Sequence, residues 1–353
     1  MDAWLVDPER WLAWDRHVQA CADSGFMQSS WWARFREPIG FDHFGVTLKH
    51  EGTIVGGALV SVWEYAPGHC FYYIQDGPLL PADDEAFARQ VFEALMARID
   101  THRRAEPRRV SHLRIEPRWL HRPAFAQGFA EPGFGDPYRE PRCTLCLDLA
   151  LDDTALLAQM KPKGRYNIRV AERHGVTVVE DSSAAGLADF VRIVQRTARR
   201  QDIDAKPASY FRSMLALAQP PLSLLFAQYQ GRRLAAALVV RFGERATYFY
   251  GGSLALQRRV MAPYLLHFEA ARRARAQGCR WYDLWGVAPL GAVDHRWQAI
   301  SDFKRKFGGV EFAFVPTLDR VFDTHAYARF RALQQPRPRR VSVPAPLAAA
   351  QAA

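Results

Sequence analysis

No apolar run in this 353-residue chain approaches the ~18 residues that a membrane-spanning helix needs. Nor does a basic segment followed by a short apolar stretch open it as a secretory leader would. Cysteine is scarce, five residues in all and odd in number, which argues against a disulfide framework and for a cytoplasmic protein with reduced thiols. Cys143 and Cys146 form a lone CxxC in an extended segment, where residues three apart point to opposite faces. Without a second CxxC or a nearby His pair they read as structural thiols, and no metal site is expected. HExxH, Walker A and GxGxxG patterns and a Ser/His/Asp ordering are all absent, so metalloprotease, NTPase, dinucleotide and hydrolase readings have no local support.

What is present describes a globular protein with a basic bias. Hydrophobic residues make up 49% and charged residues 24%, and the length suits two domains of ordinary size. Lys plus Arg outnumber Asp plus Glu by 47 to 37, and the pI of about 9.6 favours polyanionic partners or an anionic membrane surface. The most organised stretch is MKPKGRYNIRVAERHGVTVVE, Met160 to Glu180. Pro162 suits a first helical turn, Gly175 a helix stop, and Val176 to Val179 a departing strand. On such a helix Lys161, Arg165, Arg169 and Arg173 line one face as a basic ridge, with Ile168 and Ala171 turned towards a core.

Taken in order, the chain opens with a Trp-rich helix over about Asp7 to Ala22. A short second helix starts at Gln28 and Ser29, with Trp31, Trp32 and Phe35 inward and Arg36 on the polar side. Strand patterns follow at FGVTLKH, at TIVGGALVSVWEY after a turn at Glu51-Gly52, and at HCFYYIQDGPLL, then a helix over about Glu85 to Arg103 and a strand at SHLRIEP. The same order returns as SLLFAQYQ, a turn at Gln230-Gly231, RLAAALVVRF, ATYFYGGSL, a helix from about Pro263 to Gln277, and RWYDLWGV. This predicts a duplicated α/β (α+β) unit, each copy a mixed sheet flanked by helices, with a first domain over 1–143 and a second over 144–333. The Pro/Arg/Ala tail at 334–353 is expected to be disordered.

A tandem unit of this kind suggests an N-acyltransferase-like (GNAT-like) fold. Acetyl-CoA enzymes of that fold place a glycine-rich turn at a helix N-terminus to meet the pyrophosphate. Here the place reads LALQRRVMAPYLL, with Arg259, Val260 and Met261 where glycines are wanted, which disfavours acetyl-CoA as donor. SDFKRKFGG carries Lys304 and Lys306 between Phe303 and Phe307, a setting for a cation to meet a developing oxyanion. Lys206 and Tyr210 fall on one helical face, Tyr248 and Tyr250 alternate along a strand and so share a face, and Asp76, Glu116 and Asp283 end predicted strands.

In this order FMQSSWW, QDGPLL, LRIEP, TLCLDLALDDTALLAQMKPKGRYNIRVAERHGV, YFYGGS, APYLLHFEAARRARAQGCRWYDLWGV and DFKRKFGG resemble the Fem family of non-ribosomal peptidyl transferases, over about residues 26 to 316. The resemblance implies an arm-less member with two N-acyltransferase-like domains. It implies transfer of an amino acid from aminoacyl-tRNA to the side-chain amine of the third stem-peptide residue of a muramyl pentapeptide, nucleotide-linked or lipid-linked. No cofactor is implied. By motif position, Lys304 with Phe303 matches the catalytic pair. Arg36 falls where the family often has a precursor-binding lysine, and Lys206 and Tyr210 where an arginine and a tyrosine contact the precursor's phosphates, so both basic positions change residue type while keeping the charge. Tyr250 matches a tyrosine near the peptide channel, and Tyr73 and Asp76 are further expected substrate-binding residues. Arg165, Arg169, Arg173 and Lys306 become the expected tRNA contacts of a monomer that works in the cytoplasm or against the inner membrane face. The alternatives are an acyl-CoA-dependent N-acyltransferase of the same fold and a non-catalytic basic tRNA-binding protein.

Overall fold

The computed structural model describes residues 8–132, 140–201, 204–217 and 221–334; Asp7 and residues 335–353 of the expected tail lie outside them. Helices α1 (Pro8–Ala20) and α2 (Ser30–Arg36) open the chain, and Ser29 caps α2 by accepting the Trp32 N–H. Strands β1 (Asp42–His50), β2 (Thr53–Ala66) and β3 (His69–Gln75) form an antiparallel meander. Helix α3 (Glu85–Ala105), capped by Asp84, then leads to β4 (Arg109–Glu116), which lies parallel to β3.

The middle of the chain supplies β5 (Cys143–Asp148), α4 (Asp153–Gln159), α5 (Pro162–Arg173), β6 (Thr177–Glu180), α6 (Ala184–Gln201) and α7 (Ala208–Leu215). A second meander follows, β7 (Leu222–Tyr229), β8 (Arg232–Phe242) and β9 (Arg245–Ser253), and α8 (Ala262–Ala276) crosses to β10 (Trp281–Gly286), parallel to β9. Helix α9 (Gln298–Lys304), β11 (Val310–Ala313), β12 (Leu318–Val321) and α10 (Thr324–Gln334) complete the described chain.

The duplication is visible as β1–β2–β3–α3–β4 repeated by β7–β8–β9–α8–β10, with the same strand directions. Even the hairpin turns correspond. Glu51-Gly52 and Gln230-Gly231 hold both residues at positive φ, the geometry whose twist matches that of the flanking strands. The basic stretch also folds as its residues dictate: Pro162 enters the first turn of α5, Gly175 leaves it at φ 74, and Ile168 and Ala171 are buried.

The second expected span, 144–333, requires correction as a contiguous unit. The five-stranded sheet runs β1-β2-β3-β4-β12, so residues 318–321 and the helix behind them return to the first half. Conversely β5, which follows the first repeat, lies between β11 and β10 of the seven-stranded sheet β11-β5-β10-β9-β8-β7-β6. Each half therefore takes a strand from sequence that follows the other half's repeat. Asp319 of β12 anchors this return: buried, it ion-pairs with Arg114 of β4 at 2.8 Å and accepts the Tyr327 hydroxyl of α10 at 2.8 Å. A four-residue strand has too little pattern to reveal its sheet, and its anchor is a charge pair that composition alone does not locate.

One apolar core fills the first sheet beneath α3. Another lies on the α5/α8 face of the second sheet. A third joins the halves: Phe26, Trp31, Trp32 and Phe35 from the N-terminal helices pack with Phe190, Phe211 and the partly buried Phe249 and Trp285 of the second half.

Removing one member of the anchoring pair leaves the other charge buried. Asp319→Ala is expected to cost about 3–5 kcal/mol in chemical denaturation, whereas Arg114→Met combined with Asp319→Leu should cost much less. Equal losses in the two would show that the ion pair is not what holds β12 to β4.

Candidate active site

The second sheet opens a cleft because both strands at its centre are interrupted at one level. β9 and β10 pair only from Arg245 to Thr247 against Trp281 to Asp283. Beyond that point β9 bulges, with a register shift between Leu238 and Val239 of its partner, and in β10 Trp285 takes φ 63. The bulge also overturns the expected alternation. Tyr248 packs in the core beneath α8, while Phe249 and Tyr250 both pack on the opposite side, against the core that joins the halves.

The cleft ends in a cavity of about 520 Å³ lined by Tyr248, Gly251, Gly252, Tyr264, His267 and Phe303, among others. Glycine is required at 251 and 252, where a Cβ would lie 2.5 Å from the Ala236 carbonyl oxygen and 2.4 Å from Thr197 Oγ1. The turn entering α8 has left-handed residues at both ends, Gln257 and Met261, without a glycine. Three of the N–H groups here are used locally, Val260 donating to Gln257, Met261 to Arg258 and Tyr264 to Met261 at 3.0–3.2 Å. Without a glycine the backbone cannot approach a pyrophosphate as closely as a glycine-rich turn does, and three of the donors near the helix start are already engaged.

Lys304, the last residue of α9, is buried behind Phe303 and Tyr248, which line this cavity. Its Nζ donates to the Gly286 carbonyl at 2.6 Å and lies 5.8 Å from the centre of the Tyr248 ring. Burial lowers its pKa to about 7, opposed by the field of Asp283. Its own burial and, secondarily, the Lys304 cation hold His267 near 3, hence neutral, beside the Tyr282 hydroxyl at 2.9 Å. Phe303 packs edge-on to Tyr264, with centroids 5.1 Å apart, and Lys306 Nζ donates to the Tyr264 hydroxyl at 3.3 Å. Two glycines close the segment because backbone approaches there: a Cβ at Gly308 would lie 2.4 Å from Gln159 O, and at Gly309 2.4 Å from Cys146 O. The basic helix docks on the same segment through Gly164, whose added Cβ would lie 2.2 Å from Lys306 O.

A second constellation forms where the halves meet. Arg36, expected on the polar side of α2, is instead buried, with its guanidinium 3.7 Å from the Phe41 centroid and 4.7 Å from that of Trp63. A planar, weakly hydrated cation can lie between aromatic faces in this way, and burial lowers its pKa. It donates to Gln75 Oε1 at 3.5 Å, while its Nε has no partner among the described residues. Tyr73 donates to Glu116, and Tyr210 and Tyr250 join hydroxyls at 3.1 Å. All three phenols lie within the electrostatic reach of Arg36. Lys206 is exposed at the edge, 5.3 Å above the Tyr210 ring.

Asp76 stands apart from that group, buried at φ 52 with one carboxylate oxygen unpartnered among the described residues. Arg118 lies 3.7 Å from Asp76 and 3.7 Å from Asp283, and Arg245 is 3.3 Å from Asp283. This row of buried charges runs from the first half to the neighbourhood of Lys304. Asp283 also accepts from Thr144 and from the Trp285 N–H at 2.8 Å.

Sequence reasoning missed Arg118, His267 and Glu140. Glu140 accepts from the Gln75 side chain at 2.6 Å and donates its own N–H to Glu116, with its carboxyl pushed well above the ordinary range by burial and by neighbouring Glu116 and Asp76. None of the three sits in a spaced motif. On the ridge, Arg165 donates to the Ala158 and Met160 carbonyls, Arg173 lies over the Tyr166 ring at 5.9 Å, and Arg169 is exposed. Cys143 and Cys146 are buried in β5, the latter accepting from Arg245.

The sequence pattern of the FemAB family matches residues 12–133, 127–230 and 223–335. A UDP-N-acetylmuramoylpentapeptide-lysine N(6)-alanyltransferase from Weissella viridescens is 24% identical over 344 residues, covering 92% of this chain and 97% of the relative. A lipid II:glycine glycyltransferase from Staphylococcus haemolyticus JCSC1435 is 20% identical over 405 residues, covering 92% and 94%. The crystal structure of FemX superimposes with a TM-score of 0.82 at 18% identity, covering 93% of this chain and 99% of that one. The architecture is thus that of two N-acyltransferase-like halves in tandem.

Burying Lys304 has a consequence for stability versus pH. The folded protein releases this proton at about 7 and the unfolded chain near 10.5, so below 7 the full cost of the buried charge is present, and it is relieved as pH rises from 7 to 10.5. Lys304→Met should therefore raise the melting temperature relative to the parent at pH 6, with the gain shrinking towards pH 10. A gain independent of pH would contradict the burial of a charge.

Proposed function

Since the chain belongs to the FemAB family, we propose that it moves an amino acid from aminoacyl-tRNA onto the side-chain amine of the third residue of a muramyl pentapeptide, as a step in building peptidoglycan cross-bridges. The observation that carries this reading is the buried ammonium of Lys304 directly behind Tyr248 and Phe303, two residues that line the cavity of about 520 Å³. The related alanyltransferase and glycyltransferase are named for precursors that are nucleotide-linked and lipid-linked respectively, and both acceptor forms remain within the proposal.

The donor ester is already activated, so the site has to orient, deprotonate and stabilise. The acceptor amine attacks the ester carbonyl, a C–N bond forms, and the oxygen of the tetrahedral intermediate takes the negative charge. Collapse breaks the C–O bond to the ribose, whose hydroxyl leaves with a proton as the amine nitrogen loses one. The protonated form of Lys304, with Phe303 excluding water beside it, stabilises the oxyanion and holds the RNA end. Arg36, Lys206 and Tyr210 would bind the precursor, with Tyr73 and Tyr250 on the same wall and Asp76 holding Arg118 behind it. Arg169, Arg173 and Lys306 are proposed to meet donor phosphates on the α8 side, with Arg165 adding charge there. The missing glycines of the 257–261 turn, with the Val260 and Met261 N–H groups engaged locally, weigh against the acyl-CoA alternative.

The test is transfer of label from a panel of charged tRNAs to nucleotide-linked and lipid-linked muramyl pentapeptide, with labelled acetyl-CoA in parallel. An adduct from a charged tRNA is expected; label arriving only from acetyl-CoA, or none from any donor, would overturn the reading. Within that assay Lys304→Ala should lower kcat by about 10²–10³-fold while the fold is kept. Near-normal turnover would remove Lys304 from the chemistry.

A further inference from the structure

The reaction cavity has arginines on the side away from the basic helix as well. α6 separates it from a groove of about 450 Å³ between α6 and α7. The floor is apolar and small, from Ala188, Val191 and Ala208, and the walls carry Arg192, Arg196, Arg199 and Arg212 without a carboxylate among the lining residues. All four arginines are exposed. Arg192 pairs with Asp189 at 2.8 Å, whereas Arg196, Arg199 and Arg212 form no salt bridge among the described residues. On α6 the positions 192, 196 and 199 follow one face over about 10 Å. The row continues to the cavity itself, because Arg200, donating to Ser253 O at 2.9 Å, and Arg258 both line it.

We infer that this α6–α7 groove docks the double-stranded stem of the donor RNA while its single-stranded aminoacylated end enters the cavity, an inference that rests on the donor reading above. A concave, carboxylate-free row of arginines suits the closely spaced phosphates of one RNA strand. A lipid surface fits less well, because membrane docking also needs apolar side chains to insert, and no large hydrophobic residue of α6 or α7 is exposed. The ridge on α5 packs on the opposite face of the sheet, where Arg165 is bonded to local carbonyls and Arg173 lies over Tyr166. Arg169 and its neighbours there can add phosphate contacts, but the concave row of arginines without a salt bridge among the described residues, Arg196, Arg199 and Arg212, is on α6–α7.

The experiment compares two donors, a full-length charged tRNA and an aminoacylated 3′-terminal trinucleotide, in the parent and in Arg196→Gln/Arg199→Gln/Arg212→Gln. The triple variant should raise KM for the full-length donor about tenfold or more and flatten the log–log salt dependence by about 2. Its kcat and KM with the trinucleotide should match the parent's, which also shows that the variant is folded. An unchanged KM for the full-length donor, or equal losses with both donors, would overturn the proposal. So would binding of the parent to phosphatidylglycerol vesicles that the variant loses while its tRNA kinetics stay the same. A parent protein inert with both charged RNAs would instead overturn the donor reading itself.

Discussion

An ammonium group held out of water is the constraint on which the rest of this structure turns. Lys304 has one carbonyl at hydrogen-bond distance, one aromatic face and the field of a buried carboxylate, and together these only partly offset desolvation. Such a group is tolerable where a ligand will bring the missing negative charge. Its surroundings are arranged accordingly: His267 is kept neutral, Phe303 and Tyr264 limit water, and the interrupted strands β9 and β10 leave space beside it. A regular sheet would fill that space.

The two halves cannot be treated as beads on a string. β5 and β12 cross into opposite sheets, the N-terminal aromatic helices pack on the second half, and Arg118 stands between Asp76 of one half and Asp283 of the other. The constellation around Arg36 forms where the halves pack together, since Tyr73 and Gln75 come from the first sheet and Tyr210 and Tyr250 from the second half. Duplication accordingly produced two differentiated units. The second kept the open cleft at the N-terminus of its crossover helix, and the first contributes a wall.

Much of this was legible in the residues. Proline, glycine and apolar periodicity located α5 and its stop, Ser29 marked the start of α2, and the repeated meander showed in matched strand patterns and in two equivalent turns. Four of the residues read as binding groups, Arg36, Tyr73, Tyr210 and Tyr250, do lie near one another. What escaped has physical reasons. A bulge shifts side chains between faces without changing composition, so Tyr248 and Tyr250 part. Arginine is polar by rule, yet stacking on Phe41 and Trp63 buries Arg36. The destination of β12 and the partners of Arg118 and Glu140 depend on contacts between distant segments, which no local pattern encodes.

The claim at the centre is that a donor's ester carbonyl comes to rest at Lys304. It is tested most directly with an RNA 3′-end bearing an amine-reactive acyl group in place of the aminoacyl ester, followed by mass spectrometric mapping of the attachment site at pH 7 to 8. The account predicts attachment at Lys304, whose lowered pKa leaves much of it neutral and nucleophilic in that range, and loss of attachment in Lys304→Met. Attachment at Lys306, Lys206 or scattered surface lysines, with Lys304 unmodified, would contradict it.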